Sequence, residues 1–193
     1  MEKQVEIKAA TLKDDFCHYA YEIKDGPTAG DEVKRKGSLI VHNDLKNAFF
    51  KLNAHLAVIC EEINPSVIND IESIEKYDDS IHTLDSVEQI VSHFHVNSFA
   101  ISGNGENESV ILSGSKRLSN GDFVELKSPK TAWDSNYQFI NELRAAIDIA
   151  TEEVVEYMYG KSSPKFVQAK MDFGKDDDDG QGDDNNGKEE EEF

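Results

Sequence analysis

Apolar and polar residues alternate from the start of the chain, with Val5, Ile7 and Ala9 set between charged neighbours. That period of two predicts a strand, a turn at Lys13-Asp14-Asp15, and a second strand running to Lys24. In the second strand Phe16, His18 and Ala20 oppose Cys17, Tyr19, Tyr21 and Ile23, so both faces carry large side chains. Either it is a central strand covered on both sides, or one face meets the core and the other meets a partner. Asp25-Gly26-Pro27-Thr28-Ala29-Gly30 is a loop by its turn chemistry.

The period then changes. Leu45, Phe49, Leu52, Leu56, Ile59 and Ile63 recur at spacings of four and three, which predicts a core helix over about 44–63, capped by Asn43 and stopped by Asn64-Pro65. Ile68, Ile71 and Ile74 suggest a short helix, Tyr77-Asp78-Asp79-Ser80 a break, and Leu84, Val87, Ile90 and Val91 a second short helix capped by Asp85 or Ser86. A meander of three strands follows, at about 96–103, 109–114 and 122–127, with turns at Gly103–Asn107 and Ser119-Asn120-Gly121. Phe139, Leu143, Ile147, Ala150, Val154 and Met158 form the stripe of a helix from about Asn136 to Tyr159, capped by Asp134 or Ser135 and ended by Gly160. Its outer face is acidic, with Glu142, Asp148, Glu152, Glu153 and Glu156.

This order predicts an α+β domain over 1–160, with a mainly antiparallel sheet of about five strands and two long helices on one side. A linker over 161–174 follows, containing Ser162-Ser163-Pro164. The last segment, 175–193, holds ten carboxylates, two lysines and Phe193 as its one apolar side chain. Fixing a backbone costs about 1–2 kcal/mol per residue, and a segment with nothing to bury does not recover it, so a disordered acidic tail is expected. The chain's formal net charge is −19. The tail accounts for −8 of this, ten carboxylates against two lysines, and residues 1–174 carry the remaining −11.

A globular domain followed by an acidic tail ending in phenylalanine resembles the single-stranded DNA-binding proteins of bacteria and bacteriophages. The match covers Asp176 to Phe193. It implies non-sequence-specific binding of single-stranded DNA in replication, recombination and repair, with an OB-fold barrel as the alternative architecture. It also implies a tail that recruits replication or recombination proteins through Asp176, Asp177, Asp178, Asp179, Glu189, Glu190, Glu191, Glu192 and Phe193, and that competes with DNA. Gln168-Ala169-Lys170-Met171-Asp172-Phe173 resembles the short motif by which bacterial replication and repair proteins bind the sliding clamp, with Met171 and Ala169 where leucines are usual.

A body of negative charge must concentrate its cations to hold phosphate. Lys34-Arg35-Lys36 is the densest basic run; Lys116-Arg117 and Lys127 with Lys130 flank the meander. Aromatic rings beside such cations can stack bases at about 1–3 kcal/mol each, which singles out Tyr19, Tyr21 and Trp133. The acidic outer face of the last helix repels nucleic acid, so DNA is expected to cross the sheet. Two readings from other classes compete: an acidic accessory or inhibitor protein that imitates DNA, and a strand-annealing recombination protein.

Nothing in the sequence assembles a catalytic set, and no cofactor is called for. His93 and His95 share one face of a strand but lack a third metal ligand. Gly103-Asn104-Gly105 lacks the context of a phosphate loop and reads as a hairpin turn. Cys17 and Cys60 are far apart without a Cys-x-x-Cys spacing and read as reduced, packed thiols; His55 reads as a core histidine. With no apolar run of about 20 residues and no signal-peptide core, the expected location is the cytoplasm of a bacterial or phage-infected cell, with no membrane partner.

Overall fold

The computed structural model describes residues 5–74 and 87–164. The acidic segment 175–193, the Gln168–Phe173 motif, the break at Tyr77–Ser80 and the proposed caps Asp85 and Ser86 lie outside the described residues.

Three strands come first: β1 (Val5–Lys13), β2 (Phe16–Ile23) and β3 (Glu32–Ile40). Helix α1 (Asn43–Ile59) and the short α2 (Val87–Ser92) precede β4 (Phe94–Ser102), β5 (Ser109–Arg117), β6 (Phe123–Lys127) and the two-residue β7 (Thr131–Ala132). Helix α3 (Ile140–Met158) follows. The sheet is antiparallel throughout in the order β3-β2-β1-β4-β5-β6, with β7 paired to β5.

The α+β class is as the sequence predicts, with seven strands instead of about five. Its end strands β3 and β6 do not pair, so the sheet is open and the OB barrel does not form. The predicted loop and basic cluster hid β3, because Lys34-Arg35-Lys36-Gly37 has low strand propensity. An edge strand tolerates such residues, and exposed lysines there discourage pairing with other chains.

Helix boundaries also moved. His42, not Asn43, caps α1, its ring Nδ1 accepting from the Asp44 N–H at 3.3 Å. The helix ends at Ile59, and Glu61 takes a φ of 60° that turns the chain so that Ile63 is buried beyond it. Helix α3 starts at Ile140 with no side-chain cap, later than Asn136, because Tyr137 and Phe139 are drawn into the core instead. In place of a helix around Ile68 there is one 3₁₀ turn, Pro65–Val67. The first residues of the expected linker are held on the body: Ser163 donates from its N–H to the Ile40 carbonyl at 3.0 Å and from its hydroxyl to that of Val41 at 2.9 Å.

The sheet has an internal two-fold likeness that the sequence conceals. Its centre is the Ala10–Phe99 pair, flanked by Ala9–Ala100 and Thr11–Ser98. A half-turn about that pair exchanges β1 with β4, β2 with β5, β3 with β6 and α1 with α3. The register follows the exchange: Ile7–Tyr21 matches Val96–Gly114, Ala9–Ala20 matches Ser98–Ser113, and Tyr21–Val33 matches Gly114–Leu126. Both central strands carry a bulge at the same place, between Ile7 and Ala9 and between Val96 and Ser98. Asn53 of α1 serves the second bulge, its Oδ1 accepting from the Val96 N–H at 2.8 Å. A bulge leaves a strand group unpaired, and here a buried side chain satisfies it.

Helix α1 lies against β4 and β5, and α3 against β1 and β2, so each half contributes the helix that covers the other half's strands. Phe49, Leu52 and Leu56 from α1 and Leu143, Ile147 and Val154 from α3 fill the layer between helices and sheet, with Phe49 and Phe99 ring centroids 5.6 Å apart. Each such side chain contributes about 1.5–3 kcal/mol by leaving water. All of this core lies on one side of the sheet.

Candidate nucleic-acid interface

On the other side no described helix packs. Strand alternation sends Ala9, Thr11, Ala20, Ser98, Ala100, Ser113 and Ser115 to this face, so its centre is lined by small side chains, flanked by His18 opposite Thr11 and Ile111 opposite Ala100. Thr11 Oγ1 and Ser98 Oγ meet at 2.9 Å across the centre. β2 therefore has one face on the helices and one face uncovered.

Cations stand at both rims of this face. Lys34 is opposite Ala20 and Lys36 opposite His18 on β3; Lys127 is opposite Ser113 on β6, and Arg117 ends β5. All four are exposed, and none makes an ion pair with a described residue. Five strand spacings of about 4.8 Å separate the rims, roughly 24 Å. Under the half-turn Lys34 and Lys127 coincide, each facing a small residue of the neighbouring strand.

Within the first half, carboxylates occupy Lys8 and Lys24. Lys8 Nζ is 2.7 Å from Glu6 and 3.5 Å from Glu22, and Lys24 bridges Glu22 at 2.9 Å and also pairs with Glu6. Burial alone would raise the Glu6 carboxyl, but Lys24 and Lys8 outweigh it and hold that group below the usual range. Lys24 does most to hold Glu22 down as well.

Several sequence candidates sit elsewhere. Tyr21 is 8% exposed in the helix-facing core, so its ring is closed to bases. Tyr19 is half-buried on that same side, edge-on to Tyr157 at 6.1 Å. Arg35 shares this side, opposite Tyr19. Lys116 points to the helix layer, paired with Glu62 and with its Nζ 5.5 Å from the Phe94 ring centroid, and is therefore already engaged. Trp133 is half-buried beyond β7, its indole N–H donating to Glu108 at 2.8 Å and Arg144 lying 6.0 Å over its ring. Lys130 is exposed in the loop after β6. Adjacent residues in a strand face opposite ways, which divides the Lys34-Arg35-Lys36 and Lys116-Arg117 clusters between the two sides.

One aromatic escaped the sequence reading. Phe123 is 66% exposed and stands opposite Arg117 on the uncovered face. Its signal was the alternation Phe123, Glu125, Lys127 against Val124, Leu126, with the wrong member apolar for a solvent face.

Where β1 and β4 part beyond their three shared pairs, two cavities open at equivalent places. One, of about 610 Å³, is floored by α3 and lined by Glu108, Asp148, Glu152, Glu153 and Glu156, with Lys161 among them. The other, of about 380 Å³, is floored by Phe49 and Phe50 of α1 with His95 and Lys13 beside it. Glu153, and after it Asp44, raise the Lys161 ammonium above its ordinary value. The carboxylates of α3 are thus gathered on the helix side, away from the sheet's uncovered face.

His55 is buried, its Nδ1 2.9 Å from the Tyr137 hydroxyl; Cys17 is buried and Cys60 half-buried, both as free thiols. Among the described residues no cluster of three or more His, Cys, Asp or Glu is placed to hold a metal ion, and no helix is long and apolar enough to cross a membrane. Comparison with protein-family models, curated proteins and solved structures gives no match to this chain.

Proposed function

We propose that the protein binds single-stranded DNA across the uncovered face of its sheet, without sequence preference and without catalysis. The observation that carries this reading is the placement of unpaired Lys34, Lys36, Arg117 and Lys127 on the two rims of a face whose centre is lined by small side chains. Ammonium and guanidinium groups at the rims would track phosphates while the small side chains let bases approach the sheet. The acidic segment ending at Phe193 has the composition to recruit replication or recombination proteins and to compete with phosphate for these cations, being tethered at millimolar effective concentration.

The test is a mobility shift with labelled single-stranded and duplex oligonucleotides at low and moderate salt. Single strands bind more tightly than duplex, affinity falls as salt rises, and truncation after Gly174 strengthens binding, chiefly at low salt. Absence of binding at low salt by both full-length and truncated protein sinks the reading. The acidic α3 side favours a second reading, a protein that imitates DNA, and it would then lead: the acidic groove of Glu108, Asp148, Glu152 and Glu156 would occupy the basic cleft of a DNA-processing protein.

A further inference from the structure

We infer that the two halves of the sheet divide the work on a bound strand: the β4–β6 half holds bases, with Phe123 as the stacking surface, while the β1–β3 half holds only phosphate at its rim. This rests on the proposed single-stranded DNA reading, and it concerns which chemistry each half presents.

The comparison is internal to the molecule. Glu6–Glu22 in the first half occupies the place that His95–Ser115 occupies in the second, one position beyond the matched pairs Ile7–Tyr21 and Val96–Gly114. Two residues further along the neighbouring strands, Lys24 corresponds to Arg117. Lys24 is thereby tied to two carboxylates, whereas Arg117 has a histidine and a serine where those carboxylates would be, and it makes no ion pair with a described residue. Phe123 faces Arg117 directly across the β5–β6 ladder, and the equivalent place in the first half is the loop before β3, at Gly30. A free guanidinium beside a ring 66% exposed to solvent is a phosphate contact next to a stacking platform. Its counterpart half offers a neutralised lysine pair, and the rings it does carry on this face, Phe16 and His18, are half-buried where Phe123 stands clear of the sheet. Glu6 and Glu22 thus neutralise the inner part of β1 and β2, which leaves Lys34 and Lys36 at the outer rim and Lys13 at the end of β1 as free cations among the described residues.

The occupant is a single strand because the unpaired cations of the face, Lys34 and Lys36 at one rim and Arg117 and Lys127 at the other, outnumber the exposed carboxylates Glu32 and Glu125 that share those rims, and the ring stands beside them. A second copy of this chain would bring the same cations together.

The experiment measures affinity for a fluorescent oligothymidylate across a salt series, using the full-length protein and substitutions at solvent-facing positions. Phe123→Ala weakens binding about tenfold or more, with the slope of log affinity against log salt unchanged, and Phe123→Tyr restores it while Phe123→Leu does not. Arg117→Gln with Lys127→Gln instead flattens that slope by about 1.4, since each phosphate contact on a single strand contributes about 0.7. Glu6→Gln with Glu22→Gln steepens it by up to the same amount, because Lys8 and Lys24 are released to meet phosphate. If the wild type binds but Phe123→Ala binds equally well, or the Glu6/Glu22 variant leaves the slope unchanged, the division between halves is wrong and the sheet-face reading stands. If the wild type fails to bind, both fall. Light scattering on the same samples covers the remaining occupant: dissociation of a dimer by Phe123→Ala would make this face a contact between copies and overturn the inference.

Discussion

Lys34 and Lys127 hold the same station in the two halves of the sheet, one opposite Ala20 on β2 and the other opposite Ser113 on β5, both on the uncovered face. They lie at opposite rims with no described carboxylate paired to either. If both meet phosphate, Lys34→Gln and Lys127→Gln each lower the salt slope of single-strand binding by about 0.7, and the two losses add because the sites are far apart. A titration over a range of salt concentrations reads this directly. A slope unaltered by one substitution removes that rim from the interface.

Tyr157 fastens the rim strand that carries Lys34 and Lys36. Its hydroxyl donates to the Leu39 carbonyl at 2.6 Å and accepts from the Leu39 N–H at 3.2 Å, joining α3 to β3. Tyr157→Phe leaves both backbone groups without this partner and costs about 1–3 kcal/mol. Denaturant unfolding gives the loss, and amide exchange places it: protection falls in β3 more than in β5. Uniform loss of protection over both strands would contradict the local role.

Gly114 is required where β5 passes the bulged segment of β4. A Cβ there would overlap the His95 carbonyl oxygen and crowd the Val96 Cα at 2.8 Å, and neither backbone group can move without disturbing the ladder. Gly114→Ala costs about 1–3 kcal/mol as an overpacking change. Gly121→Ala is the contrasting control: it meets open space but has a φ of +89°, so its cost is backbone strain confined to a turn. Thermal melts that show no destabilisation at Gly114 would refute the close approach.

His55 makes stability depend on pH. Burial lowers its pKa from 6.5 to about 4, while in the unfolded chain it returns to the ordinary value. Below pH 6.5 the unfolded state therefore takes up a proton that the folded state refuses, so stability falls as pH drops from about 6.5 to about 4 and this contribution then levels off. The total is about 3 kcal/mol at 1.36 kcal/mol per unit. Carboxylates titrate in part of this window too, so the measurement is the difference between wild type and His55→Gln. Parallel curves for the two proteins would show that His55 contributes nothing.

Much of the fold is legible in the sequence because burial enforces period. The stripes Leu45–Leu56 and Leu143–Val154 mark α1 and α3, and alternation marks β1, β2 and the β4–β6 meander. β3 was not legible, since an edge strand with one open face needs no apolar alternation and its Lys-Arg-Lys run reads as loop. Nor was the two-fold likeness: Val5–Lys13 and Phe94–Ser102 share register and bulge but hardly a residue, because many apolar side chains satisfy the same position. The candidate site was half legible. Composition finds Lys34, Lys36, Arg117 and Lys127; only pairing assigns Arg35 and Lys116 to the helix side and discloses Tyr21 as core and Phe123 as surface.

The central claim is that a single strand lies on the uncovered face, and lysine footprinting tests it most directly. Protein is acetylated briefly with and without a saturating oligothymidylate, and each lysine is read by mass spectrometry. Lys34, Lys36 and Lys127 are protected by the oligonucleotide, while Lys51, exposed on α1 in the helix layer, reacts at an unchanged rate. Protection of Lys51 equal to that of the rim lysines, or no protection at Lys34 and Lys127 under conditions where DNA is bound, would contradict the account.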